Sequence, residues 1–224
     1  MDKNLDLSLK ERISGTIKAL EKNNMQAVFA EDCKAAVELV KDLIKKGDTI
    51  SFGGSVTLKE CGVMDLIKNG DYNLLDRSKE GLTSEDIEKI YRDSFSADVY
   101  FSGSNAITEN GELYNVDGNG NRVNAIMFGP KSVIIIAGYN KIVKNLDEAV
   151  ERVKKIAAPK NCVRLSKNTY CAKCGQCVSL KLENPQMTDG CDSADRICRL
   201  YTVTGKQKAD KRVKVIIVGE PLGY

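Results

Sequence analysis

Histidine and tryptophan are absent from this 224-residue chain, and proline occurs only four times. Without an imidazole, a Ser-His-Asp or Cys-His nucleophile, a histidine general base and a His-ligated metal are all excluded. Any acid–base chemistry falls to Asp, Glu, Lys, Tyr or Cys. Aromatic residues make up 6% of the chain, too few for rows of base-stacking platforms, and 34 basic residues against 31 acidic ones leave a formal charge of only +3, so nucleic acid is not an expected partner. Long apolar runs are missing too. The longest, residues 133–137, falls far short of the about 20 residues that cross a bilayer, so no membrane span is expected. Residues 1–6 lack a basic region followed by an apolar stretch, which makes the cytoplasm the expected compartment.

Cysteine, by contrast, is plentiful, with eight residues. In a reducing compartment a disulfide framework is not expected, and clustered thiols point to metal or redox chemistry. Cys171, Cys174, Cys177, Cys191 and Cys198 fall within 28 residues. Thiolates two residues apart on a turn can converge on one centre, and four of them satisfy either tetrahedral zinc or a four-iron cubane. A C-x-x-C-x-x-C run with a distant fourth cysteine leans toward an iron–sulfur cluster, [4Fe-4S], with zinc as the alternative; the fourth ligand is open between Cys191 and Cys198. Cys33 and Cys61 lie in or beside helical patterns and read as small core residues. Cys162 fits either role.

The first two-thirds of the chain alternates periods. Leu9, Ile13, Ile17 and Leu20 recur at helical spacing, residues 26–30 read as a strand, and 35–46 as a helix followed by Gly47. Residues 49–52 form a strand that ends in Gly53-Gly54-Ser55, then 56–69 read as helix, 72–75 as strand, 83–94 as helix with an acidic first turn, and 98–102 as strand. Beyond that point strands follow one another: 106–109 and 112–115 across an Asn110-Gly111 turn, then 124–128 and 133–137. Asn145 caps a helix through residue 158 that Pro159 is expected to stop, and 213–218 is a final strand. The implied fold class is α/β: an open, mostly parallel sheet flanked by helices, with an antiparallel β-hairpin excursion and a cysteine-rich loop near the C-terminus. Residues 1–224 read as one such domain, with 168–199 a metal-binding insertion.

Two loops follow strands at places where ligands gather in open α/β sheets. Gly53, Gly54, Ser55 and Thr57 make the first; Ser104 and Asn105, with Thr108 beyond, make the second. Free backbone N–H groups and hydroxyls there could cradle an anion, although tight turns needing glycine would look the same. A third loop, Asp117, Gly118, Asn119, Gly120, Asn121 and Arg122, is denser in turn-forming residues than a connection needs. Asp117 and Glu109 could form a carboxylate acid–base pair, with the Arg122 guanidinium for an anionic substrate. An EF-hand is excluded, because loop position 12 counted from Asp117 is Phe128.

The motifs Gly53-Gly54-Ser55-Val56-Thr57-Leu58, Ala97-Asp98-Val99-Tyr100-Phe101, Ser104-Asn105-Ala106-Ile107-Thr108-Glu109-Asn110-Gly111, Asn115-Val116-Asp117-Gly118-Asn119-Gly120-Asn121-Arg122, Phe128-Gly129-Pro130-Lys131 and Asp195-Arg196-Ile197-Cys198 occur in order. Together they resemble the lactate-utilisation (LUD) domain family over nearly the whole chain. The resemblance implies a fold like the sugar-phosphate isomerase and CoA-transferase superfamily and a link to bacterial oxidation of lactate to pyruvate. It also implies a cysteine pattern, C-x5-C-x2-C-x6-C, that would fall on Cys171, Cys177, Cys191 and Cys198; here Cys174 is additional and residues 178–190 lengthen the gap. The function expected is an accessory or electron-transferring subunit with an iron–sulfur cluster, a small anionic metabolite as ligand and other lactate-utilisation subunits as partners; an oligomer is compatible with this role. The alternative is a transferase or isomerase of a phosphorylated or CoA-linked small molecule with a structural zinc loop.

Overall fold

The structure, a computed structural model, describes residues 3–224, with side chains from residue 7. In chain order its elements are α1 (Lys3–Lys22), β1 (Gln26–Ala30), α2 (Cys33–Leu43), β2 (Thr49–Phe52), α3 (Val56–Glu60), α4 (Val63–Asn69), β3 (Asn73–Leu74), α5 (Ser84–Asp93), β4 (Val99–Ser102), β5 (Ala106–Thr108) and β6 (Leu113–Asp117). There follow α6 (Asn121–Met127), β7 (Ser132–Gly138), β8 (Ile142–Val143), α7 (Leu146–Arg152), α8 (Ala158–Arg164), α9 (Tyr170–Cys174), β9 (Leu200–Thr204) and β10 (Val213–Val218). Six strands form one sheet in the order β1-β10-β7-β4-β2-β3, every neighbouring pair parallel. Four form a second, mixed sheet, β8-β5-β6-β9, in which β6 runs antiparallel to both β5 and β9. No helix among the described residues is long and apolar enough to cross a membrane.

The parallel sheet is covered on both faces, which is why β7 and β10 read as unbroken apolar runs. Successive side chains of a strand point to opposite faces. Ile134 and Ile136 accordingly pack with Ala36 and Val40 of α2, Leu58 of α3 and Ile67 of α4. Val133, Ile135 and Ala137 pack on the other side with Ile13 and Leu20 of α1 and Ile126 of α6. A fully buried isoleucine contributes roughly 1.5–3 kcal/mol, so one strand feeding two cores commits much of the folding free energy to the centre of the sheet. A third core joins Ala106 and Tyr114 of the second sheet to Ala149 of α7 and Val153.

Helix starts follow their caps: the side chains of Asp32, Ser55 and Asn145 each accept from a backbone N–H of the following turn, and Thr83 with Asp86 forms a capping box. Four expectations change. The helix over 56–69 is broken at Gly62, whose φ of +76° suits glycine and separates α3 from α4. Residues 124–127 belong to helix α6 rather than a strand, and Phe128 caps its end; Val123, Ala125 and Ile126 are buried while Met127 and Phe128 are exposed, a helical spacing hidden by the apolar composition. Pro159 does not stop the helix from Asn145. Residues 153–157 widen into a π turn, where the N–H of Ala158 reaches the carbonyl of Val153, and this altered register admits the proline without its usual clash. Finally, β9 was not anticipated. Its burial is slight because it is an outer strand, so no apolar alternation marked it.

Candidate functional site

The carboxyl ends of β2, β4 and β7 meet at one edge of the parallel sheet, and a cleft of about 490 Å³ opens there. Seven basic side chains line it, Arg77, Arg122, Lys141, Arg164, Lys167, Arg196 and Arg199, against two carboxylates, Asp117 and Asp195. Such an excess focuses positive potential inside a concave wall and favours an anionic ligand.

Arg122 and Asp117 build the cleft rather than stand free in it. The Arg122 Nε donates to Asp117 Oδ1 (2.9 Å), Nη1 to Asn115 Oδ1 (2.6 Å) and the Gly103 carbonyl (3.3 Å), and Nη2 to Asn105 Oδ1 (3.0 Å) and the Val116 carbonyl (2.9 Å). All five N–H donors of a guanidinium are thereby engaged. The other Asp117 oxygen accepts the backbone N–H groups of Arg122 and Val123, both at 3.1 Å, and so satisfies the first turn of α6. Gly53 is glycine because a Cβ there would stand 3.0 Å from Arg122 Cδ. Arg152, 7% exposed, ties the same region from below, donating to the carbonyls of Asn105 (2.6 Å) and Asn140 (3.2 Å).

Lys141 forms the floor. It ends the 3-10 turn that follows β7, is 3% exposed, and donates to Thr57 Oγ1 at 2.8 Å. Among the described residues it makes no ion pair. Burial, then the charges of Arg152 and Arg122, push its amine down to about 7, with Glu60 pulling weakly the other way. An ammonium has three donors, and only one is engaged here. Arg77 stands across the cleft with its guanidinium 5.2 Å above the Tyr91 ring.

Of the residues singled out in the sequence, Gly54, Ser55, Thr57, Ser104, Asn105, Asp117, Gly118, Asn119, Asn121 and Arg122 line the cleft. Gly53, Thr108 and Gly120 do not: Thr108 is buried against Glu112 (2.6 Å), and Gly120 has a φ of +85° ahead of α6. Glu109 lies elsewhere. It is exposed and paired with Arg12 at 2.6 Å, so the expected Glu109–Asp117 acid–base pair does not assemble. Nor is Arg122 available to grip a ligand directly, since its donors are spent on loops. Lys141, Arg77 and Tyr91 went unremarked. The signal for Lys141 was present in its position, four residues past the strongest apolar strand, at the same sheet edge as both glycine loops.

Cys171, Cys177, Cys191 and Cys198 line a second, separate cavity together with Tyr114, Lys154 and Tyr201. Cys174 does not; it is exposed. The Tyr114 hydroxyl is buried there without a hydrogen-bond partner. Cys162 is buried beside Cys171, and its thiol hydrogen bond pulls Cys171 below the ordinary thiol range. Among the described residues no three His, Cys, Asp or Glu side chains are set so that they could grip a metal ion. The two cavities share a wall. Ala194 to Ile197, between the last two cysteines, line the cleft, while Arg196 donates to the carbonyls of Cys198 (2.9 Å) and Cys191 (3.3 Å). Cys33 and Cys61 lie apart, packed in the first core.

The LUD domain family profile matches residues 13–218. A crystal structure of a DUF162 family protein from Deinococcus radiodurans superposes with a TM-score of 0.51 at 14% identity, covering 94% of this chain and 98% of that one, a likeness of fold. Ribose 5-phosphate isomerase from Plasmodium falciparum overlaps at 17% identity over 57% of this chain and 66% of that one; its TM-score of 0.32 is too low to bear on the fold. Comparison with curated proteins gives no match.

Proposed function

Because the chain belongs to the LUD domain family, we propose that it serves lactate or related hydroxy-acid utilisation, binding a small anionic metabolite in the basic cleft and carrying a [4Fe-4S] cluster as an accessory or electron-transferring subunit. The observation that supports this reading is the shared wall: the segment between Cys191 and Cys198 faces the cleft, and the cysteines at its two ends face the other cavity. Cys171, Cys177, Cys191 and Cys198 would hold the cluster, with Cys174 spare. The donor set suits it. Four thiols surround one cavity, and the buried Tyr114 hydroxyl lacks the acceptor that a cluster sulfur would supply. Neither a zinc ion nor a cluster finds its thiolates already gathered among the described residues, so the lean toward iron rests on the cysteine spacing. The cavity measures about 20 Å³, close to one water, so a cluster requires the loop to widen. Residues 175–199 hold only a short 3-10 turn, the kind of chain that can do so. When bound, the cluster supplies one-electron transfer. The chain's own residues orient the metabolite: Arg77 and Arg199 supply charge, and Ser55 and Thr57 supply hydroxyls.

Iron, zinc and acid-labile sulfide measured on protein purified without oxygen test this. About four irons and four sulfides per chain, with a broad band near ~400 nm, are expected. One zinc and no iron would overturn the cluster and favour the second reading.

That second reading is a transferase or isomerase acting on a phosphorylated or CoA-linked molecule, favoured by the buried Lys141 amine in the cleft floor. A sugar phosphate or CoA ester at 100 times its dissociation constant should then stabilise the fold by about 2.7 kcal/mol. No thermal shift from any of them would count against it.

A further inference from the structure

Lys141, though 3% exposed, lines the cleft, and two glycines lie against its amine. A Cβ on Gly103 or on Gly223 would stand 3.6 Å from Nζ, so these glycines leave room beside the amine. The Thr57 hydroxyl is 2.8 Å from Nζ, and Ser55 lines the same cleft, its Oγ 2.9 Å from where a Gly103 Cβ would sit. No carboxylate among the described residues pairs with Lys141, and the charged groups acting on it are Arg152, Arg122 and Glu60. A buried amine surrounded mainly by positive charge gains little as a structural cation, because burial costs it hydration and no counter-ion offsets the loss. The same surroundings suit an amine nucleophile, of which desolvation and neighbouring cations keep a substantial fraction unprotonated near neutrality.

We propose that Lys141 captures a small carbonyl compound bearing a carboxylate or phosphate, forming an imine with it in the cleft. The proposal rests on the cleft binding a small anionic metabolite. The ammonium first passes one proton to the hydroxyl relay; the freed lone pair forms a bond to the carbonyl carbon, and the carbonyl oxygen leaves as water, taking that proton and a second one from nitrogen. The third proton stays on nitrogen as an iminium, so atoms and charge balance without an oxidant or reductant. The hydroxyls of Thr57 and Ser55 lie where they can hydrogen-bond the tetrahedral oxygen and relay its protons. Arg77, stacked on Tyr91 and without an ion pair among the described residues, faces the anionic group. The iminium then withdraws electrons from the adjacent carbon, which is the chemistry the lysine supplies.

The test incubates the full-length protein near neutral pH with pyruvate or with dihydroxyacetone phosphate, adds cyanoborohydride, and maps the reduced adduct by peptide mass spectrometry. Lactate serves as the carbonyl-free control, and thermal shift with each probe reports binding separately. The expected result is an adduct at Lys141, favoured over exposed lysines by on the order of 10²–10³ from the larger fraction of neutral amine. Capture of pyruvate assigns a carboxylate substrate, capture of dihydroxyacetone phosphate a phosphate one; lactate yields no adduct. Lys141→Met, uncharged like the free amine, is expected to lose the adduct, and the thermal shift measured on the wild type reports binding independently of it. Binding of either probe without an adduct at Lys141, or labelling spread evenly over surface lysines, would overturn the proposal and leave the cleft's ligand class intact. No binding and no adduct would overturn both.

Discussion

The cleft and the cysteine cavity sit on opposite sides of one short segment, and they are assembled in different ways. The cleft gathers residues from Gly54 to Tyr224 at the carboxyl edge of the parallel sheet. The cysteine cavity takes its thiols from 28 consecutive residues and borrows only a few walls, among them Tyr114 and Lys154, from the main fold. The first is rigid: Arg122 and Arg152 knit its loops to β6, α6 and α7 through buried hydrogen bonds. The second is held by a loop with little regular structure. A ligand site on a rigid edge suits recognition of a fixed shape, whereas a cavity on a loose loop suits a group that itself organises the chain around it.

The largest expected effect separates the cysteines. Cys191→Ser should abolish most bound iron and sulfide, whereas Cys174→Ser should leave the metal content and the ~400 nm absorption unchanged. Iron lost in Cys174→Ser and kept in Cys191→Ser would reverse the ligand set and break the comparison.

Within the cleft, Arg122→Ala leaves the Asp117 carboxylate and four further acceptors without the guanidinium donor. A loss of about 3–5 kcal/mol in chemical denaturation is expected, the range for breaking a buried pair. Arg122→Lys should recover only part of it, because an ammonium cannot reproduce the fork. A loss under 1 kcal/mol for the alanine variant would show that the cleft is not knitted as described.

Lys141 gives a pH signature. Its amine titrates at about 7 when folded and near ~10.4 when unfolded. Between those values the unfolded chain binds more protons, so the lysine's contribution improves as pH rises. Its penalty is fully present below pH ~7 and gone above ~10.4, a span of about 5 kcal/mol. Stability of the wild type relative to Lys141→Met, followed by denaturant unfolding across this window, should therefore climb with pH, and the methionine variant should be the more stable at neutral pH by roughly 1–2 kcal/mol. A flat difference would mean that Lys141 is hydrated in the folded protein.

The smallest effect is at Glu109. Its pairing with Arg12 is 40% exposed on both sides, so Glu109→Gln should cost under about 1 kcal/mol and leave any ligand-induced thermal shift unchanged. A lost shift would bring Glu109 back to the site.

Much of this molecule can be read along the chain. The strand–glycine–helix unit at residues 49–58, the hairpin across residues 109–112 and the cap at Asn145 are local events, set by turn chemistry and periodicity within a few residues. The cysteine cluster was legible for the same reason. What failed did so where local rules compete: residues 121–127 carry apolar side chains that suit strand or helix, and the Asp117 carboxylate decides for the helix by satisfying its first turn. Pro159 misled because a π turn upstream relieves a clash that composition alone predicts.

The amino-acid sequence by itself determined the α/β alternation, the covered apolar sheet, the absence of imidazole chemistry and the concentration of thiols, since each depends on residue type or on neighbours a few positions away. Only the tertiary structure decided which polar residues face a ligand. Asp117 and Arg122 look free in sequence and are spent on each other and on nearby loops, while Lys141, an ordinary lysine after a strand, becomes a buried amine with no ion pair among the described residues. Hydrogen-bond saturation and burial are properties of packing between distant segments, and these two quantities separate the side chains that hold the cleft together from Lys141, which holds a single hydrogen bond among the described residues.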